Sequence, residues 1–213
     1  QGKAGFDTLE GGSENDTLEG GNDNDVMRGQ GGADFMLGGS GDDLLEGGDQ
    51  DDVLRGETGN DTITAGAGHD NIDAGRGDDS VHGDDGNDTI LGDAGRDIIF
   101  GDAGADSIDA GAANDEVHAG AGSDFVDGNT GSDLIFGGDD VDVLVGGPGS
   151  DDIFGELGND VIYAGLLAAL TGEASSLHNI DAGDGNDLVW SVVGHDTIAT
   201  GLGNDTVLAF AGN

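Results

Sequence analysis

The sequence predicts an all-β protein: a parallel β-roll, or β-helix solenoid, with two short strands and two loops in each 18-residue coil. Two observations predict it. A nine-residue unit repeats without slipping, as in GDDGNDTIL at 83–91, GDAGRDIIF at 92–100 and GDAGADSID at 101–109. Within that unit one Asp and one large apolar residue recur two places apart. With the Asp numbered position 6, position 8 holds Leu9, Leu18, Met27, Met36, Leu45, Leu54, Ile63, Ile72, Val81, Ile90, Ile99, Ile108, Val117, Val126, Ile135, Leu144, Ile153 and Ile162.

The elements follow from the unit. Positions 7–9 form a strand too short to stand alone. Side chains alternate along it, so position 8 faces the interior and positions 7 and 9 face out. Ile, Val and Leu suit such a buried strand. The six-residue loop between strands is rich in Gly, which reaches positive φ without steric cost. Strand, loop, opposite strand and opposite loop make one coil, and residues 18 apart stack at roughly 4.8 Å. About 24 nonapeptides then give about 12 coils, a rod on the order of 55 Å long. With one interior residue per repeat the core is thin. Packing alone is not expected to offset the backbone entropy of 46 glycines.

Position 6 supplies the candidate metal ligands. Stacking at 18 sorts these aspartates into two columns along opposite edges. One carries Asp16, Asp34, Asp52, Asp70, Asp88, Asp106, Asp124, Asp142 and Asp160. The other carries Asp7, Asp25, Asp43, Asp61, Asp79, Asp97, Asp115, Asp133 and Asp151, resuming at Asp187 and Asp205. Carboxylates about 5 Å apart repel, and a cation between successive pairs reverses the sign of that interaction. Carboxylates plus loop carbonyls are the ligands Ca²⁺ prefers, whereas Mg²⁺ is smaller and retains its waters. Counting neighbours gives about 17 calcium sites as a ceiling. Glu14, Asp23, Gln50, Ala113 and Asp140 stand at position 4, where Gly is expected. If that position needs positive φ, Glu, Gln and Ala are strained there, and weaker sites are expected near residues 14, 50 and 113.

The unit matches the nonapeptide G-G-x-G-x-D-x-U-x, with U a large apolar residue, and the chain resembles the RTX (haemolysin-type calcium-binding) repeat family. The resemblance runs from Ala4 to about Gly165 and again from about Asn179 to Val207. It implies a calcium-binding β-roll in a secreted protein, exported by type I secretion through an uncleaved C-terminal signal. The ending VLAFAGN does not look like such a signal.

Composition agrees with a metal-dependent fold. The formal net charge is −41, from 46 acidic and 5 basic residues. That balance excludes nucleic acid and anionic membrane surfaces as partners. A Gly-rich, acidic chain poor in aromatics is ordinarily disordered, but a solvated tail has no reason to place an apolar residue at every ninth position. There is no Cys, so bound metal is the available staple. No run of about 18 apolar residues exists to span a membrane. The chain starts at Gln1 without an initiator Met or signal peptide, which reads as a processed product or an excised fragment.

Residues 164–178 break the pattern inside what otherwise reads as one solenoid over 1–213. The phase calls for Asp at 169 and 178, where the chain has Ala169 and His178. Either this is a degenerate coil, or a short helix or bulged loop packed on the rod; calcium is expected to be missing from both edges there. On the outer faces Phe100, Phe136, Phe154 and Trp190 at position 9, beside Ile98, Leu134 and Leu188, are expected to align into an apolar stripe, a candidate interface. The other sheet adds Val143, Val145, Val161 and Tyr163. Outward Thr residues are too gapped for an ice-binding face. The five histidines do not cluster, and His82 and His118, about two coils apart, are read as surface residues.

No layout of a catalytic site is legible. Metal-neutralised carboxylates are poor general bases, and the Gly loops lack the Lys and following helix of a phosphate cradle. The chain is read as non-catalytic. Two functional classes remain: a calcium-folded module attached to other domains of a larger secreted protein, or a self-assembling surface-layer, adhesin or fibre component.

Overall fold

In the computed structural model, which describes residues 1–165, 177–191 and 194–209, strand formation follows the nine-residue period. The described residues contain twenty-two strands and no helix, from Thr8–Gly12 to Thr206–Ala209. Alternate strands fall into two eleven-stranded parallel sheets. The first sheet begins with Thr8–Gly12 and the second with Thr17–Asn22. Through most of the rod the register is 18 residues per coil, as Val81↔Ile99↔Val117 in the first sheet and Ile72↔Ile90↔Ile108 in the second.

Position 8 lines the interior: Met27, Ile63, Ile108, Ile135 and their equivalents are fully buried. The core is thicker than one residue per repeat, however. Many strands run six residues, through position 3 of the next repeat, as in Leu134–Asp139. Alternation therefore carries position 1 inward as well. Ala65, Ala74, Ala110, Ala119, Ala164 and Ala182 are fully buried there. Only a small residue fits, because a Cβ at Gly128 or Gly137 would come within 3.2 Å of the Ile135 or Leu144 side chain.

One coil is longer. Asp152 pairs with Asn179 and Val161 with Leu188, steps of 27 residues instead of 18. Three nonapeptides are spent where two would do, so every later strand lies in the opposite sheet from the one that counting by 18 predicts. Residues 166–176 lie outside the described residues, and with them the expected conformations of the break and Ala169.

Candidate metal centre

Position 6 precedes each strand, and the alternation that buries positions 8 and 1 turns its carboxylate inward too. From Asp25 to Asp160 every position-6 aspartate is at most 3% exposed, and Asp187 is 2% exposed. Asp7, Asp16 and Asp205, near the ends, are half-buried. Each backbone amide donates to Oδ1 of the aspartate one coil on, as Asp52 N to Asp70 Oδ1 at 2.6 Å and Asp106 N to Asp124 Oδ1 at 2.8 Å. There are ten such steps in the column that starts at Asp16. The column that starts at Asp7 has eight.

The second oxygen is the informative one. Oδ2 of Asp25, Asp34, Asp43 and each later position-6 aspartate through Asp142, and of Asp160 and Asp187, is buried without a hydrogen-bond partner, whereas that of Asp151 lies 3.2 Å from His178 Nδ1. A buried charged oxygen left unpartnered is costly. Where position 1 is Gly, this oxygen and a carbonyl of the next coil flank the same point. At the point where a side chain on Gly20 would begin, Asp25 Oδ2 and Gly38 O both stand 2.6 Å away. At Gly83 the pair is Asp88 Oδ2 at 2.6 Å and Gly101 O at 2.8 Å, and at Gly137 it is Asp142 Oδ2 at 2.7 Å and Gly155 O at 2.8 Å. The donor set is all oxygen, carboxylate plus backbone carbonyl, and it recurs at the repeats with Gly at position 1. It fits Ca²⁺, which takes six to eight oxygens in flexible geometry. Position-6 carboxylates and position-1 carbonyls are the groups that would hold the ion.

Burial and like charge act on the protons of the same groups. Burial pushes Asp52, Asp61, Asp97, Asp106, Asp133 and Asp142 up from about 3.8 to about 7, the amide hydrogen bond opposes the shift, and neighbouring aspartates add to it. Asp43, Asp88 and Asp160 rise to about 6 by the same desolvation. A group whose folded pKa is raised contributes stability that is fully present below the unfolded value, about 4, and lost as pH rises through 6–7. In chelator, therefore, the chain is expected to gain β circular-dichroism signal on acidification from pH 7.5 to about 4.5, protons substituting for metal. A signal independent of pH over that window would contradict the burial of these carboxylates.

Two site expectations change. Asp187 and Asp205 do not resume the Asp7 column: Asp160 N donates to Asp187 Oδ1 at 2.9 Å, which places them on the Asp16 column. The 27-residue step is the cause. Asp151 instead meets His178, whose Nδ1 lies 3.3 Å from Asp151 N, and His178 N donates to Asp196 Oδ1 at 3.3 Å. Only the Asp7 column is thus interrupted at the break. Second, the outer stripe divides. Phe100, Phe136 and Phe154 share the first sheet, in a stack running His82, Phe100, His118, Phe136, Phe154 with ring centroids 4.5–5.0 Å apart. Trp190 lies on the second sheet beside Tyr163, centroids 6.0 Å apart, and Leu188 pairs with Val161 there.

Position 4 does take positive φ at Asp23, Gln50, Ala113 and Asp140, with Ala113 at 104°, whereas Glu14 lies outside that region. Position 2 takes it too, at Gln30, Glu57, Asp84, Asp93, Asp102, Asn129 and Glu156, which the sequence reading missed. It also missed position 5. There Asn24 Oδ1 accepts from Asp42 N, Asp42 Oδ1 from Asn60 N and Asn60 Oδ1 from Asp78 N, at 2.9–3.0 Å, an outer ladder antiparallel in sense to the aspartate columns. The recurrence of Asn and Asp at position 5 was the available signal.

Buried aspartates stacked along both edges of a parallel solenoid, each offering an unpartnered oxygen, define a calcium-binding repeat protein. The chain belongs to the RTX calcium-binding nonapeptide repeat family, whose profile matches residues 1–166 in overlapping four-copy segments and again 179–207 and 192–213. No match covers 167–178. Among solved structures it is similar to a hyperactive, Ca²⁺-dependent, β-helical antifreeze protein from an Antarctic bacterium, with 23% identity, 96% of this chain and 73% of that chain covered, and a TM-score of 0.49. No curated protein sequence matches.

Proposed function

We propose that the chain is the calcium-folded structural module of a secreted protein: a single solenoid over 1–213, unfolded where calcium is scarce and folded outside the cell. Up to about 17 ions would bind between successive position-6 aspartates. The module has no catalytic role of its own; it acts in folding and secretion and stabilises the domains it accompanies. The row of buried, unpartnered Oδ2 atoms carries this reading, since it makes the fold dependent on a cation.

A second reading, a self-assembling surface-layer, adhesin or fibre component, is favoured by the outer face of the second sheet. There Val143, Val161 and Leu188 stack in one column and Val145, Tyr163, Trp190 and Leu208 in the next. Light scattering of the calcium-loaded chain separates the two. The module reading expects a compact monomer, unaffected by Trp190→Ser. Particles that grow with calcium, and that Trp190→Ser returns to monomer, would replace it with the assembly reading.

A further inference from the structure

Among the described residues no second histidine joins His82 in a ligand cluster, but the folded chain brings it carboxylates. His82 projects from the outer face of the first sheet. Two residues on stands Asp84, held at φ 67°, and one coil further stands Asp102 at φ 70°. Asp102 Oδ2 lies 2.9 Å from His82 Nδ1. One ligand atom from each of the three residues lies within 4.8 Å of the others. The imidazole is held in place by Phe100, stacked on it with centroids 4.5 Å apart and planes 7° from parallel. The His82 and Asp102 side chains are each 39% exposed, open enough for an ion to enter.

We propose that His82, Asp84 and Asp102 form a binding site for a divalent transition-metal ion of the zinc class, distinct from the calcium columns. The donor set separates the two. Ca²⁺ is held by oxygen ligands, whereas imidazole nitrogen suits Zn²⁺, Cu²⁺ and Ni²⁺. Bonds of about 2.0–2.2 Å to nitrogen and carboxylate put neighbouring ligands of one ion about 3 Å apart, near the separation already present between His82 and Asp102. Two carboxylates beside each other also repel, and a cation between them reverses that cost. The same column holds an internal comparison. His118, two coils along, is stacked in the same way between Phe100 and Phe136. The places corresponding to Asp84 and Asp102 are Gly120 and Gly138, and its Nε2 meets Glu116 at 3.0 Å. His118 therefore lacks the carboxylate pair.

The test is Zn²⁺ titration calorimetry in saturating Ca²⁺, on the wild-type chain and on His82→Asn, Asp102→Asn and His118→Asn. Asn is chosen because it tolerates the positive φ at residue 102, and circular dichroism in Ca²⁺ checks that each variant is folded. One Zn²⁺ per wild-type chain is expected. Affinity should fall by more than about 100-fold in His82→Asn and Asp102→Asn, since loss of an outer-shell partner alone costs about 10–100-fold. It should be unchanged in His118→Asn. Absence of Zn²⁺ binding in saturating Ca²⁺, or binding that survives intact in folded His82→Asn and Asp102→Asn, overturns the site.

Discussion

Chelation at pH 7.5 is expected to abolish the β signal of this chain altogether, and Ca²⁺, but not Mg²⁺, to restore it cooperatively. Three terms combine to give so large an effect. The net charge of −41 opposes any compact state. The carboxylates that carry part of it are not on the surface but inside, at 0–3% exposure from Asp25 to Asp160. Apart from Asp151, whose Oδ2 faces His178, their Oδ2 atoms have no donor to meet them. Against this stands a core of one large and one small side chain per repeat. A net folding stability of about 5–15 kcal/mol cannot absorb a row of buried, unpaired, mutually repelling charges. Far-UV circular dichroism and the fluorescence of Trp190, half-buried beside Tyr163, report the transition. A complete β spectrum in chelator at neutral pH would show that the apolar interior suffices and that calcium is an ornament of the fold.

The second large effect is expected from Gly104→Val. Gly104 has φ 148°, which a side chain rarely adopts, and a Cβ there would overlap the carbonyl oxygen of Gly86 in the adjoining coil. That oxygen is main chain, and its coil is held in register by the ladder on both sides: Gly68 N donates to Asp85 O at 2.9 Å, and Gly86 N to Ala103 O at 2.8 Å. The clash has no flexible side chain to yield. Overpacking of this kind costs typically 1–3 kcal/mol or more, with the backbone strain added. Because each repeat contacts only its neighbours, the damage should divide the rod, and one thermal transition in Ca²⁺ should become two. The exposed neighbour serves as control: Ala105→Ser should stay within about 0.5 kcal/mol of wild type. A single unshifted transition in Gly104→Val would mean that the coils are not spaced as tightly as the structure shows.

The period of nine was enough to determine a great deal from the residues alone. It identified position 8 as the interior, position 6 as the candidate calcium ladder and 18 as the stacking interval, because alternation along a strand and the closure of a two-strand coil are local matters. The buried small residue at position 1 was within reach of the same reasoning. It was missed because a six-residue Gly-rich segment reads as loop, whereas the neighbouring coil's backbone draws half of it into the sheet.

What the sequence could not determine is which of two faces a repeat joins. Asp187 is in perfect phase by nines, since the break inserts whole repeats; the coil, however, counts by eighteens. One extra nonapeptide leaves the pattern intact and inverts the assignment of every later strand. Only the pairing of Val161 with Leu188 shows that Trp190 sits with Tyr163 and Asp187 with Asp160. The meeting of His82 with Asp102 is of the same kind. Their separation of 20 residues has no meaning along the chain. It becomes one coil plus two residues, and so a contact, once backbone hydrogen bonds have stacked the coils.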